Sequence, residues 1–181
     1  MKELSLNILD VAENSVKAGA TLTQIIIEEN EETLTLYIID DGCGMDEETV
    51  KAVIDPFYTT RTTRKVGLGV PLLKLACEQT GGNISVSSKT AQASPDSHGT
   101  EVKAVFFKNH LDFTPLGDVI STVTTLIQGH NDTDFLFKHI MPDKTVNLDT
   151  RELREVLGDV PLSEYEVIKW IEEYLKEQYA E

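Results

Sequence analysis

The sequence predicts an α+β fold, on three observations. Strand-like runs near residues 23–29, 34–40, 83–89 and 100–107 are interleaved with stretches of helical periodicity near 3–18, 46–54 and 69–80. Beyond Pro115 the pattern changes to a helix, a hairpin and two further helices, which reads as a small α/β extension. The chain has 181 residues and 40% apolar content, enough to bury a core of ordinary size, so one domain with an appendage is expected, divided as 1–110 and 111–181.

The first helix, about 3–18, carries Glu3, Asn7, Asp10, Asn14 and Lys17 at spacings of four, three, four and three. At helical periodicity these side chains share one face, with Leu4, Ile8, Leu9, Val11, Ala12 and Val16 elsewhere. The stripe is therefore expected to point away from the core, and Ala18-Gly19-Ala20 ends the helix. An amide and a carboxylate one turn apart, with an ammonium one turn beyond, suit a hydrated magnesium ion and a phosphate chain.

Leu34-Thr-Leu-Tyr-Ile-Ile alternates as a strand and delivers Asp40 and Asp41 into Gly42-Cys43-Gly44. A carboxylate at a strand end, followed by glycines that admit a flat ligand close to the backbone, suits recognition of an adenine amino group. The helix near 46–54 is ended by Pro56. A loop with Thr59-Thr60, Arg61, Arg64 and Lys65 follows, its cations placed to clamp a polyphosphate. Lys65-Val66-Gly67-Leu68-Gly69-Val70-Pro71 then opens a helix to about Thr80, capped by Gly81-Gly82. Glycines before a helix leave backbone N–H groups facing an anion. Ala91 to His98 is a polar loop before the fourth strand.

In this order the boxes resemble the GHKL superfamily of ATP-binding domains, which groups sensor histidine kinases, gyrase B, MutL proteins and Hsp-type chaperone ATPases. The resemblance covers roughly residues 1 to 108. Asp10-Val-Ala-Glu-Asn14-Ser-Val-Lys17 resembles the N-box, and Asp40-Asp-Gly42-Cys-Gly44-Met45 the G1 box. Pro56-Phe-Tyr-Thr-Thr60 resembles the start of the ATP lid, Gly67-Leu68-Gly69-Val70-Pro71 the G2 box, and Gly99-Thr100 the final box.

The resemblance implies a two-layer sandwich whose mixed, mostly antiparallel sheet is covered on one face by helices. It also implies ATP and magnesium as ligands. Asn14 is implied as the metal ligand, Asp40 as acceptor from the adenine amino group with Thr100 helping through water, and Gly67 and Gly69 as the phosphate cradle. The implied nucleotide-contacting set is completed by Lys17, Gly42, Gly44, Met45, Arg64, Lys65, Leu68 and Val70. Two departures stand out. Hydrolytic members carry a glutamate four residues before the N-box asparagine, where this chain has Asp10. A carboxylate one methylene shorter falls short of the ~2.6–3.2 Å that proton abstraction from water requires, so Asp10 as catalytic residue predicts slow turnover. The second departure is Lys65, which stands where the G2 pattern has glycine.

A net charge of −15 argues against a nucleic-acid partner. No run approaches the ~20 apolar residues of a membrane span, and the two cysteines, Cys43 and Cys77, have no metal-like spacing. A soluble cytoplasmic protein with reduced thiols and no membrane contact is expected. The functional expectation is a stand-alone regulatory kinase or phosphotransferase; the alternative is an ATP-driven switch that binds a protein partner, with a homodimer also in view.

The C-terminal third carries none of the boxes. A helix near 116–128 is expected, then a hairpin from Asp134-Phe-Leu-Phe-Lys to Val146-Asn-Leu turned at Pro142-Asp143. A helix near 150–157 ends at Gly158, and a last one near 164–178 opens with the capping box Ser163-x-x-Glu166. Val167, Ile168, Ile171 and Leu175 form its packing face, against the ATP-binding part or a second copy, and Trp170 and Tyr174 are assigned to core packing with an interface as the alternative. His110-Leu-Asp-Phe-Thr-Pro115 resembles a phospho-acceptor box, but it follows the ATP-binding boxes and lacks a helical hairpin, so it is not taken as one. His98, His130 and His139 read as ordinary loop or strand histidines.

Overall fold

The computed structural model of the chain describes residues 3–55 and 68–181. The expected lid, with Arg61, Arg64, Lys65 and Gly67, lies outside the described residues. In chain order the elements are α1 (Leu4–Lys17), β1 (Leu22–Glu29), β2 (Thr33–Asp40), α2 (Glu47–Ile54), α3 (Gly69–Glu78), β3 (Asn83–Lys89) and β4 (Gly99–Phe107). They continue with α4 (Val119–Gly129), β5 (Asp134–Ile140), β6 (Thr145–Asp149), α5 (Thr150–Leu157) and α6 (Tyr165–Ala180).

The strands form one sheet of order β3-β4-β2-β1-β5-β6. Every neighbouring pair is antiparallel except β1 and β5, which run parallel with Leu22 opposite Asp134. The sheet is thus mixed and mostly antiparallel, as expected. Period-two alternation sends Ile25 and Ile27, Leu34, Leu36 and Ile38, Val102, Ala104 and Phe106, Phe135 and Phe137, and Val146 and Leu148 into one buried layer under the helices. The other face holds half-buried Ile26 and Tyr37 and exposed Lys103, whose ammonium lies 5.6 Å from the Tyr37 ring centroid.

The α1 helix packs against the sheet, α3 and α4. That enclosure corrects the single outward stripe: Asp10 and Lys17 are exposed and Glu3 and Asn14 half-buried, but Asn7 is buried. Helices on two sides leave α1 only a narrow outward sector, too narrow for five side chains. The α3 terminus is as expected. Gly81 has φ +85, its N–H reaches the Glu78 carbonyl at 2.9 Å, and the Gly82 N–H returns to the Cys77 carbonyl at 3.0 Å, the pattern that closes a helix through a left-handed residue.

The expected boundary at 110/111 lies in the connection between β4 and α4, and the segment beyond it adds two strands to the same sheet. It also holds α1. No side chain caps the α1 N-terminus, but the Leu4 N–H donates to the Pro115 carbonyl at 2.9 Å and the Ser5 N–H to Leu116 at 2.8 Å. The Thr122 hydroxyl donates to the Ser5 carbonyl at 2.9 Å, and His130 Nε2 meets Glu13 Oε2 at 2.8 Å. Gly117, with φ +79, lets the chain pass Glu3: a Cβ there would lie 2.3 Å from the Glu3 Cδ.

Two expectations in this segment are corrected. The capping box does not form, because α6 begins at Tyr165 with Glu164 at the N-cap and no side-chain capping bond. Trp170 is 49% exposed and stacks on Tyr174 with ring centroids 4.9 Å apart, so it is not core. Val167, Ile171 and Leu175 are buried and Ile168 packs against them.

Candidate functional site

The α1 and α2 helices, the C-terminal end of β2, the first turn of α3 and strands β3 and β4 line a cavity. Asn14, Lys17, Asp40, Gly44, Met45, Val70 and Thr100 all line it. The rest of the wall is mainly apolar: Val11, Ile38, Val53, Val86 and Val102. A cavity with mainly apolar walls and a carboxylate in its lining is suited to a flat heteroaromatic ring that presents a donor at its edge.

Asp40 ends β2 half-buried. The Ser15 hydroxyl donates to its Oδ2 at 2.6 Å and the Gly42 N–H to its Oδ1 at 2.9 Å. Two of about four acceptor positions are thereby used and the carboxylate is oriented, with the remaining ones available to the cavity. Asp41 points to the opposite side of the strand and holds the loop start. Partial burial pushes its carboxyl up, but donation from the Thr21 hydroxyl and the Leu22 and Thr21 N–H groups outweighs this and keeps it below the usual carboxylate range.

The glycines in this loop are required by close approach. Gly44 has φ +74, and a Cβ there would sit 1.9 Å from the Lys89 carbonyl oxygen. Gly99 has φ +135, and a Cβ would sit 1.9 Å from the Asp40 carbonyl oxygen. Ser88 joins the pieces: its Oγ accepts from the Met45 N–H at 2.7 Å and lies 2.8 Å from the Thr100 Oγ1. His98 is bonded through Nδ1 to the Gly42 carbonyl, so this histidine braces the site.

At the other end, α3 meets α1 through Gly69. A Cβ there would lie 3.2 Å from the Asp10 Cβ and 3.5 Å from Val11 Cγ2, so glycine lets the α3 N-terminus sit close to the polar part of α1. Leu68 at the α3 N-cap has no side-chain capping bond and is 63% exposed. Asp10 is exposed and does not line the cavity, while Asn14, one turn on, does. Gly42, Leu68 and Gly69 do not line the cavity; the Gly42 N–H donates to Asp40, Gly69 packs on α1 and Leu68 is exposed. Arg64, Lys65 and Gly67 lie outside the described residues.

The donor set fits magnesium in one manner. Among the described residues no three His, Cys, Asp or Glu side chains converge on a possible metal site. Asn14, with Asp10 a turn away, offers too few oxygens to hold a metal alone, and suits a hydrated magnesium ion whose other ligands come from phosphates.

Sequence reasoning missed Ser15 and Thr49 and the valine walls. Ser15 is 25 residues from Asp40 in sequence, and only its position beside Asn14 on the buried flank of α1 could have drawn notice. Of the remaining histidines, His110 sits in a turn with Nδ1 accepting from the Asp112 N–H at 3.0 Å, on no helical hairpin. Cys43 is exposed beside the site, and burial pushes the Cys77 thiol up to about 11.

Residues 2–111 match the family described as histidine kinase-, DNA gyrase B-, and HSP90-like ATPases. The sensor protein SrrB of Staphylococcus aureus is 35% identical over 94 residues, which are 49% of this chain and 16% of that protein. The chain thus matches about a sixth of the length of these curated relatives. Two solved structures share the fold: the N-terminal domain of a DNA repair protein, with TM-score 0.57 and 17% identity over 88% of this chain and 58% of the other, and the Aquifex aeolicus MutL ATPase domain complexed with ADP, with TM-score 0.55 and 14% identity over 86% and 69%. The family match ends at residue 111, so these larger shares extend the common fold into the C-terminal segment.

Proposed function

Given that the chain belongs to the histidine kinase-, DNA gyrase B- and HSP90-like ATPases and binds ATP as they do, we propose that it acts as a magnesium-dependent regulatory kinase or phosphotransferase of the cytoplasm. The observation that carries the reading is the cavity beside α1, whose lining includes an Asp40 oriented by two donors together with Asn14 and Lys17. In this reading Asp40 accepts from the adenine amino group and Thr100, tied to Ser88, assists through water. Asn14 would hold a magnesium ion, which would supply charge neutralisation at the phosphates. Lys17 supplies a point charge to the phosphate chain and leaves the γ-phosphoryl open to an acceptor.

A second reading, an ATP-driven switch that binds a protein partner, is favoured by Asp10. It is short for a general base, exposed, and outside the cavity wall. Incubation with γ-labelled ATP, magnesium and cell lysate separates the two. A labelled protein that disappears with Asn14→Ala supports transfer; bound nucleotide with no labelled protein supports the switch.

A further inference from the structure

We propose that the groove between α5 and α6 docks a cationic amphipathic helix of a partner protein. The groove is apart from the nucleotide cavity and the proposal is independent of the chemistry there. On α5, Leu153, Val156 and Leu157 stand at helical spacing, and on α6 Val167 and Trp170 face them across a space of about 480 Å³. Val156 is 85% exposed, and Tyr165, Trp170 and Val160 lie nearby at 68, 49 and 47%. Clustered exposure of this kind marks an interaction surface, whereas scattered apolar residues do not.

Charge identifies the occupant. Glu152, Glu155, Asp159, Glu164, Glu166, Glu173 and Glu177 are exposed on the same two helices and their connection, and Glu166 lines the groove itself. The cations there are mostly committed: Arg151 to Asp149 at 2.9 Å, Arg154 to Asp134 at 2.7 Å and Lys176 to Glu172 at 2.7 Å. An apolar floor with an acidic rim complements a helix that is apolar on one side and rich in Lys or Arg on the other. An anionic membrane or nucleic acid would be repelled, as would a second copy presenting the same face. Strand addition at the nearby sheet edge is hindered, because Gln178 donates to the Asn147 carbonyl at 2.9 Å and accepts from its N–H at 3.0 Å.

The test uses the full chain and three 18-residue probes: a Lys/Leu peptide patterned as an amphipathic helix, a scrambled peptide of the same composition, and a patterned peptide with Gln for Lys. The chain has one tryptophan, so Trp170 emission reports occupancy directly, with calorimetry giving affinity. The patterned cationic peptide should shift Trp170 emission and bind about tenfold or more tighter than either control. Val156→Glu, at an exposed position that folding tolerates, should cost about tenfold. Glu155→Gln with Glu166→Gln should weaken binding and flatten its salt dependence. Equal binding of the scrambled peptide, an unaffected Val156→Glu, or equal binding of the Gln peptide would overturn the proposal. So would burial of Trp170 on concentrating the chain alone, which would make a second copy the occupant.

Discussion

Replacing Asp40 by alanine tests the base-recognition step most directly. The carboxylate is held by the Ser15 hydroxyl at 2.6 Å and the Gly42 N–H at 2.9 Å, so little ordering remains to be done when a ligand arrives. A hydrogen bond to a charged acceptor contributes about 1.5–3 kcal/mol, which at ~1.4 kcal/mol per decade corresponds to roughly 10- to 150-fold in affinity. Asp40→Ala should weaken magnesium-ATP by that factor while leaving the fold intact, because Asp40 is only half-buried and its strand neighbours are paired through backbone bonds. Ser15→Ala, which removes the orienting donor and keeps the acceptor, should cost less. Calorimetric titration of the three proteins with ATP and GTP is the assay, with far-ultraviolet circular dichroism as the folding control. The parent should prefer ATP, since guanine presents a carbonyl where adenine presents its amine, and a carbonyl facing Asp40 would leave two acceptors opposed. Equal parent affinities for ATP and GTP, or a loss below threefold in Asp40→Ala, would refute the assignment.

Three further outcomes are expected. Asn14→Asp adds a negative charge beside the phosphates and should weaken ATP by about tenfold or more while altering its magnesium dependence; identical magnesium titrations of mutant and parent would remove Asn14 as a ligand. Steady-state phosphate release should be slow in the parent, rise about tenfold or more in Asp10→Glu and stay low in Asp10→Asn, and fast parent turnover abolished in Asp10→Asn would make Asp10 a competent base. The hydrogen bond from His139, aided by Lys108 at 3.2 Å and opposed by burial, holds the Glu29 carboxyl below its ordinary 4.5. Its stabilisation is therefore complete above about pH 4.5 and is lost as pH falls through the lower folded value. The urea-midpoint gap between parent and Glu29→Gln should be wider at pH 6 than at pH 3, and a gap independent of pH would contradict this.

How far the sequence could be read depended on the range of the interactions involved. Local signals, such as the period-two runs of β1, β2, β4 and β5 and the Gly81 turn, act within a few residues and were legible. Asn14, Lys17, Asp40 and Thr100, expected together from an ordered series of boxes, do line one cavity. The burial of Asn7 was not legible, since it arises from helices distant in sequence, α3 and α4, closing on α1. The Ser15–Asp40 bond and the continuity of the sheet into β5 likewise depend on long-range pairing that no local pattern encodes. The capping box failed for a converse reason: the local motif was present, but α6 starts a residue later, where Tyr165 begins the turn.

The C-terminal segment bears on the site through α1. That helix supplies Asp10, Asn14 and Lys17 as well as Ser15, so its placement sets the distances from Asn14 and Lys17 to Asp40. Its first N–H groups are satisfied by the Pro115 and Leu116 carbonyls and by no side chain of its own. Thr122 and His130 hold it at two further points, near Ser5 and Glu13. Without residues 111–181, β1 would become an open sheet edge, Leu4 and Ile8 would lose the α4 side of their packing, and the first turn of α1 would have unpaired donors. Each of those costs falls on the helix that carries the polar half of the site. The boxes name the groups proposed to meet the nucleotide, but their positions are fixed jointly by the sheet, by α3 through Gly69 and by α4 through Thr122 and His130. The segment that carries no box is therefore part of what makes the boxes a site, and α4, packed between α1 and α6, places the α5–α6 groove two helix contacts from the residues around Asn14.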